Sequence, residues 1–203
     1  MICAVVLAAG LSRRMGVQKL LLPFGGKTVI GHIVDQILAG DVNRTYVVVG
    51  HQGERVRREL SERNVTIVSN PDYESGMLSS VRCGLAVLPS ECRAVLVALG
   101  DQPSVTSKLI DQMTRSFGET DKGILVPVYE GGRGHPVLLL HRYRDEILTC
   151  YDNVGLRGLL HAHPDDVFEL SVSTSAVLSD MDCPQDYRRE LRSIEKEDTG
   201  SSD

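Results

Sequence analysis

A loop rich in glycine and positive charge follows the first apolar segment of the chain. It reads AGLSRRMGVQK, in which Gly10 and Gly16 flank Arg14 and Lys19 comes shortly after. Glycines let backbone N–H groups approach a polyanion, and the two cations can neutralise its charge. The spacing does not fit a P-loop, because five residues separate the glycines and Val17 follows; the G-x-G-x-x-G fingerprint is also absent. We therefore expect a phosphate site of another kind, the alternative being a solvated basic loop.

Two later segments place carboxylates after apolar runs. Asp101 ends the run in VALGDQP, and Asp180 and Asp182 follow AVLS. A carboxylate there can hold Mg²⁺, which prefers oxygen ligands and often brings substrate phosphates with it. The alternative is a turn or helix-capping aspartate. One of Asp180 and Asp182 could be the second metal ligand and the other structural.

The histidines give one candidate for a site. His161 and His163 have no evident third ligand, so the end of a surface helix is favoured over a metal pair. His135 differs because glycines and Pro136 shape its loop, GGRGHPV.

Hydrophobic periodicity predicts the elements that position these residues. In the first half, apolar strands alternate with helices. The strands are 2–10, 45–51, 65–70 and 92–99, and the helices are 27–40, 53–64, 76–88 and 104–117, the last with Ser104 as a possible N-cap. The second half is predicted to contain two extended segments within 123–141, helices 142–150, 155–163 and 183–196, and strands 167–172 and 176–182. We expect one domain over 1–190 and a polar, disordered tail over 191–203.

The alternation predicts an α/β fold, a three-layer, doubly wound and mostly parallel sheet. In such sheets, ligands bind beyond the carboxyl ends of the strands. The loops that begin at Ala8, Asn70, Gly100 and Asp180 should therefore meet in space.

Composition narrows the classes of function. A net charge of −5 argues against general affinity for nucleic acid or an anionic membrane. The apolar runs are shorter than the ~20 residues that a membrane span needs. The five cysteines are scattered and odd in number, which favours reduced thiols in a cytoplasmic protein.

Six segments, in order, resemble the molybdenum cofactor cytidylyltransferase branch of nucleotidyltransferases that share the fold of molybdenum cofactor guanylyl- and cytidylyltransferases. They are LAAGLSRRMGVQKLLLPFGGKTVI, NPDYESGMLSSVRCGL, LGDQPSV, GGRGHPVLL, GLRGLL and DMDCPQDY. The resemblance runs from about Ile2 to Tyr187 and implies a Rossmann-like, nucleotide-diphospho-sugar transferase-type fold. In DMDCP, Cys183 stands where the family usually has threonine.

The resemblance implies that a molybdopterin phosphate attacks the α-phosphate of CTP, with Mg²⁺ bound and pyrophosphate leaving. It also implies a possible molybdenum hydroxylase client. The implied catalytic residues are Arg14, Lys19 and Asp101. The implied nucleotide-binding residues are Leu7, Ala8, Ala9, Gly10, Ser12, Arg14, Lys19, Gly76, Ser80 and Asp101. The implied metal ligands are Asp101 and Asp182, and the implied acceptor-binding residues are Arg133, Gly134 and His135. Arg13, one residue off the matched arginine, is interpreted as a surface charge.

Three alternatives stay open. Family members with LAAG use cytidine and those with LAGG use guanosine, so Ala9 favours CTP while GTP remains the alternative. A sugar or polyol phosphate could replace molybdopterin as the acceptor. A cofactor-binding insertion factor without efficient transfer is the non-enzymatic alternative.

Overall fold

Ten strands and seven α-helices form within the residues that the computed structural model describes, 1–152 and 154–200. The strands are β1 (Ile2–Ala8), β2 (Pro23–Phe24), β3 (Lys27–Thr28), β4 (Arg44–Val49), β5 (Thr66–Ser69), β6 (Ala94–Leu99), β7 (Ile124–Tyr129), β8 (Gly132–Arg133), β9 (Val137–Leu140) and β10 (Val167–Ser171). The helices are α1 (Val29–Ala39), α2 (Gly53–Glu59), α3 (Met77–Ala86), α4 (Ser107–Glu119), α5 (Arg144–Thr149), α6 (Leu156–Ala162) and α7 (Pro184–Gly200).

One eight-stranded sheet organises the chain, in the order β10-β7-β9-β6-β1-β4-β5, with β8 paired to β7. Strands β6, β1, β4 and β5 are mutually parallel, as are β10 and β7. Strand β9 lies between β6 and β7 and is antiparallel to both. The predicted three-layer, mostly parallel α/β fold is therefore confirmed, and β9 supplies its antiparallel component.

The central strand shows why the fold has three layers. In β1, the side chains from Cys3 to Val6 are all fully buried, as expected for a strand covered on both faces. Alternate residues enter two different cores: Ala4 and Val6 face α1 and α4, while Cys3 and Val5 face α3. None of the described helices has both the length and the apolar character needed to cross a membrane.

Two predicted local features are wrong, and long-range hydrogen bonds explain both. Helix α4 is capped by Thr106, whose hydroxyl accepts from Leu109 N–H. The predicted cap, Ser104, instead donates its hydroxyl to Glu190. The predicted strand 176–182 contains a 3-10 turn over Ser175–Leu178, because its backbone bonds to other loops rather than to a neighbouring strand.

The predicted tail overlaps helix α7. Helix α7 continues to Gly200, beyond the expected end at 196, and Leu191 and Ile194 pack against the core. Residues 191–200 of the predicted tail therefore lie within α7, and the domain boundary at 190 stays a prediction. Residues 201–203 of that prediction lie outside the described residues.

The sheet brings distant loops together at one edge. β1, β5 and β6 run parallel and end at that edge. The segment after the 3-10 turn joins them because Met181 N–H donates to the Asp101 carbonyl, at 3.0 Å. The predicted meeting of the four loops follows from this geometry.

Candidate active site

A cavity of about 430 Å³ opens where these loops meet. Most of the residues implied to bind nucleotide or metal line it: Leu7, Ala9, Gly10, Ser12, Arg14, Lys19, Gly76, Ser80, Asp101 and Asp182. Ala8 is the exception, since its side chain packs in the core. The sequence reasoning missed Tyr73, Glu74 and Met77, which also line the cavity. They lie within the NPDYESGMLSS segment, and the resemblance of this segment to the family was the signal that could have indicated them.

The loop after β1 is held in a tight turn. Ser12 is left-handed, with φ 50°, and its carbonyl accepts from Met15 N–H at 3.0 Å. Gly16 is also left-handed, with φ 68°, a conformation that glycine adopts without steric cost. No side chain fills the space beside Gly10 within 4 Å, so a ligand can approach its backbone. These conformations explain the glycines that suggested a polyanion site.

A buried amide fixes the base of the same loop. Gln18 Nε2 donates to the His51 carbonyl at 3.0 Å, and Gln18 Oε1 accepts from the Ser12 hydroxyl at 2.9 Å. The Ser12 hydroxyl in turn accepts from Lys19 N–H at 3.3 Å. This chain of contacts directs Lys19 into the cavity, and sequence reasoning had not singled out Gln18.

Three charged residues distant in sequence converge at the cavity floor. Lys19 Nζ lies 2.5 Å from Asp101 Oδ2 and 3.2 Å from Asp182 Oδ1. The Lys19 side chain is only 11% exposed. Arg14 Nη2 lies 2.8 Å from Asp182 Oδ2 at the more exposed side. Such a low-dielectric, preorganised cluster can stabilise charge that develops on a phosphoryl group.

Arg13 also lines the cavity, although it was interpreted as a surface charge. It is exposed, as expected, and no described carboxylate lies within ion-pair distance of its guanidinium. Arg14 and Lys19, by contrast, are already paired with aspartates. The 3-10 turn Arg13–Met15 places both arginines at the mouth, which sequence spacing alone did not reveal.

The positions of Asp101 and Asp182 suit two ligands of one metal ion. One oxygen of each approaches the same ammonium group, so the two carboxylates share a cation position. No group of three or more His, Cys, Asp or Glu among the described residues is arranged to hold a metal by itself. Two carboxylates suit Mg²⁺, which commonly takes one or two of them and completes its shell with water and substrate phosphates.

The structure separates the roles of the two late aspartates. Asp182 faces Lys19 and Arg14, whereas Asp180 accepts a hydrogen bond from Gln102 Nε2 at 2.8 Å. Partial burial, Asp101 and Asp182 all raise the pKa of Asp180. Asp182 therefore fits the second-ligand position better than Asp180.

A cap formed by Asp186 holds Asp182 in place. Asp186 Oδ2 accepts from the backbone N–H groups of Asp182 and Cys183, at 3.2 and 2.9 Å. The Cys183 thiol donates to the same oxygen, at 3.0 Å. The cysteine that departs from the family's usual threonine thus still hydrogen-bonds beside the site.

The residues implied to bind the acceptor do not line this cavity. Arg133 is ion-paired with Glu169, its Nη2 lying 2.6 Å from Oε1. His135 N–H donates to the Val177 carbonyl at 2.9 Å. Burial lowers the pKa of His135, Asp101 opposes this effect, and Arg157 adds to the lowering. His135 thus lies close to Asp101, while Arg133 has a structural partner elsewhere.

Arg157 is a residue that sequence reasoning did not single out. It belongs to GLRGLL, a segment quoted for the resemblance without a role, and α6 brings it near His135. It is exposed and has no ion-pair partner among the described residues. A free cation therefore accompanies His135 on this side of the site.

Gly134 permits the close packing that places His135. A Cβ atom added there would lie 2.1 Å from the Val177 carbonyl oxygen. We expect Gly134→Ala to lower the free energy of unfolding by about 1–3 kcal/mol, the usual cost of overpacking. Urea denaturation measures this change. Gly118→Ala in α4 is the control, because nothing lies within 4 Å of the added atom; an equal loss in both variants would contradict the argument.

Comparison with known proteins identifies the family of the chain. Residues 4–167 match the model of the MobA-like NTP transferase domain. The chain belongs to this nucleotidyltransferase family. It is 27% identical over 184 residues to the molybdenum cofactor cytidylyltransferase of Escherichia coli, covering 90% of this chain and 92% of that protein. The bifunctional protein GlmU of Symbiobacterium thermophilum is 37% identical over 122 residues, but these are only 26% of its length.

Solved structures are also similar to this chain. The Rv0371c protein of Mycobacterium tuberculosis superimposes with a TM-score of 0.84 at 30% identity, covering 94% of this chain and 97% of that one. A structure of Rv0371c has also been solved as a complex with manganese, with a TM-score of 0.80 at 29% identity and coverage of 95% and 98%.

Proposed function

We propose that the protein transfers CMP from CTP to the terminal phosphate of molybdopterin cofactor. Pyrophosphate leaves and a cytosine dinucleotide form of the cofactor results. The observation that carries the proposal is the cluster of Lys19, Asp101 and Asp182 at the floor of the cavity, with Arg14 paired to Asp182 at its mouth. The E. coli cytidylyltransferase, similar over nearly the full length of both chains, supports the choice of acceptor.

In this reaction, the protein orients two phosphates and stabilises charge. The backbone from Ala8 to Gly10 contacts the nucleotide, and Ser12 fixes the loop around it. Arg14 and Lys19 stabilise the α-phosphate and the departing pyrophosphate, the main requirement of such a transfer. The acceptor phosphate is itself the nucleophile, so no nucleophilic side chain is needed.

Asp101 and Asp182 would hold a divalent metal, with Mg²⁺ as the expected ion. When bound, the ion neutralises charge on the triphosphate and orients it. The manganese complex of Rv0371c supports a divalent metal at this fold. Lys19 Nζ must then move from between the carboxylates toward the phosphates. His135 and the adjoining Arg133–Gly134 segment lie toward the acceptor.

Ala9 is proposed to select CTP over GTP. Its side chain is 4% exposed and lines the cavity, so its methyl group narrows the space that a purine would need. We expect Ala9→Gly to raise the ratio of kcat/KM for GTP to that for CTP by about tenfold, the scale of one methyl group in a pocket. Ala94→Gly, equally buried but away from the cavity, is the matched control. A ratio unchanged by Ala9→Gly would remove the residue from nucleotide choice.

An assay of nucleotidyl transfer distinguishes this proposal from two alternatives. A sugar or polyol phosphate stays open as an alternative acceptor. A cofactor-binding insertion factor, which would hand the cofactor to a molybdenum hydroxylase client, is disfavoured because the proposed catalytic side chains are all present at the cavity.

The decisive experiment supplies Mg²⁺, each NTP in turn and either molybdopterin cofactor or a sugar or polyol phosphate, and measures pyrophosphate and nucleotidyl product. We expect product with CTP and molybdopterin cofactor, and no product with the other NTPs. Tight cofactor binding without release of pyrophosphate from any NTP would overturn the enzymatic proposal. Product with GTP but not CTP would overturn the nucleotide, and product only with a sugar or polyol phosphate would overturn the acceptor.

A further inference from the structure

A buried amide lies behind the part of the cavity formed by α3. Asn70 follows β5 and is only 4% exposed. Its Nδ2 donates to the Ser79 hydroxyl at 2.9 Å and to the Ser80 hydroxyl at 3.0 Å. Asn70 does not line the cavity, but Ser80 does. The amide therefore acts on the cavity wall from behind.

The orientation of this amide follows from its other contact. Asn70 Oδ1 accepts from Asp72 N–H at 2.9 Å. A backbone N–H can only donate, so the atom facing it must be the oxygen and the atom facing the serines must be the nitrogen. The Asn70 backbone is fixed as well, because its N–H donates to the Val49 carbonyl at 2.8 Å.

The two serines respond differently to this donor. Ser79 can pass its own proton to the Asp72 or Gly76 carbonyl, at 2.9 and 2.8 Å. For the Ser80 hydroxyl proton, no described group serves as acceptor. One lone pair of Ser80 is occupied by Asn70, which leaves the hydroxyl proton available to an acceptor in the cavity. Ser80 is thus set as a hydrogen-bond donor.

We propose that Asn70 is a positioning residue that fixes Ser80 as a donor to the nucleobase and so selects cytosine over uracil, an inference that rests on the proposed use of CTP. Cytosine has an unprotonated acceptor at N3, whereas uracil carries N–H at that position. A fixed donor can hydrogen-bond to N3 of cytosine, but it meets another donor at the N3–H group of uracil. Ala9 acts on base size, and the Asn70–Ser80 pair acts on hydrogen-bond polarity.

Asn70→Asp reverses the polarity with almost no change of shape. A carboxylate offers only acceptors, so the Ser80 proton turns toward it and a lone pair faces the cavity. We expect the ratio of Kd for UTP to Kd for CTP to fall by about tenfold, the scale of one hydrogen bond. Calorimetric titration with each nucleotide and Mg²⁺, without acceptor, measures the ratio. Any repulsion of phosphates by the new charge affects both nucleotides equally and cancels.

Four further variants test this interpretation. Ser79→Ala should leave the ratio unchanged, since Ser79 is bonded away from the cavity. Ser80→Ala should reduce the ratio, and adding Asn70→Asp to it should change the ratio no further. Asn70→Ala, which frees Ser80 to rotate, should give an intermediate ratio and serves if Asn70→Asp does not fold.

An equal loss of CTP and UTP affinity in the Asn70 variants, with the ratio kept, would assign Asn70 a purely structural role. A wild-type protein that binds both pyrimidine nucleotides equally would also overturn the proposal. Because no acceptor is present, a wrong assignment of molybdopterin would appear only in the transfer assay. The two failures are therefore distinguishable.

Discussion

Lys19→Ala is expected to lower kcat for nucleotidyl transfer by about 10²–10³-fold, the usual cost of removing one preorganised electrostatic group. Lys19 Nζ is nearly buried and contacts both Asp101 and Asp182, so alanine leaves two carboxylates facing the triphosphate without their cation. The apparent KM for CTP should rise as well. Steady-state measurement of pyrophosphate release checks both values.

Lys27→Ala is the matched control for this experiment. Lys27 also pairs with an aspartate, Nζ lying 2.6 Å from Asp35 Oδ2, but it is half exposed and away from the cavity. Its removal should leave both kinetic constants within about twofold of the wild-type values, since exposed ion pairs contribute little. Unchanged rate and KM in Lys19→Ala would return the loop after β1 to the interpretation of a solvated basic segment.

Asp101→Ala is expected to abolish metal-dependent turnover, with kcat falling by about 10³-fold or more, the scale of losing a principal electrostatic element. Only Asp182 would remain of the two proposed metal ligands. The free energy of unfolding should change far less than turnover does, because Lys19 keeps Asp182 as an ion-pair partner. Activity against Mg²⁺ concentration and urea denaturation measure the two effects.

Two controls distinguish loss of metal from loss of structure. Asp121→Asn removes an exposed carboxylate outside the cavity and should leave the Mg²⁺ dependence unchanged. Treatment of the wild-type protein with a chelator should reproduce the loss, and added Mg²⁺ should restore activity to the wild type but not to Asp101→Ala. Full turnover of Asp101→Ala at ordinary Mg²⁺ concentrations would exclude Asp101 from the site.

The proposed division of labour in the site has a physical basis in exposure. Lys19 is already paired and is only 11% exposed, so it suits the stabilisation of charge during transfer. Arg13 at the mouth is unpaired with any described carboxylate, so its charge is open to an incoming triphosphate. Arg13 is thus placed to attract the entering triphosphate, and Lys19 is placed to act during the transfer itself.

The fold class and the meeting of loops could be predicted from local sequence. Runs such as Val5–Ala8 are apolar on both faces, which requires a buried strand, and the alternation with helices requires parallel crossovers. Parallel strands end at one edge, so Lys19 and Asp101 could be placed in one site without knowing any distance. Nearly every nucleotide-site residue implied by the resemblance does line the cavity.

Tertiary structure decided what local pattern leaves undetermined. The choice of Asp182 over Asp180 depends on Gln102 and Asp186, and the loss of the predicted strand 176–182 depends on bonds to His135 and Gln102. Hydrogen bonds between residues far apart in the chain leave no periodic pattern in the amino-acid sequence, so local pattern does not predict them. For the same reason, the sequence presented Asn70 only as a loop residue, and the direction in which it orients Ser80 emerged from the packed structure.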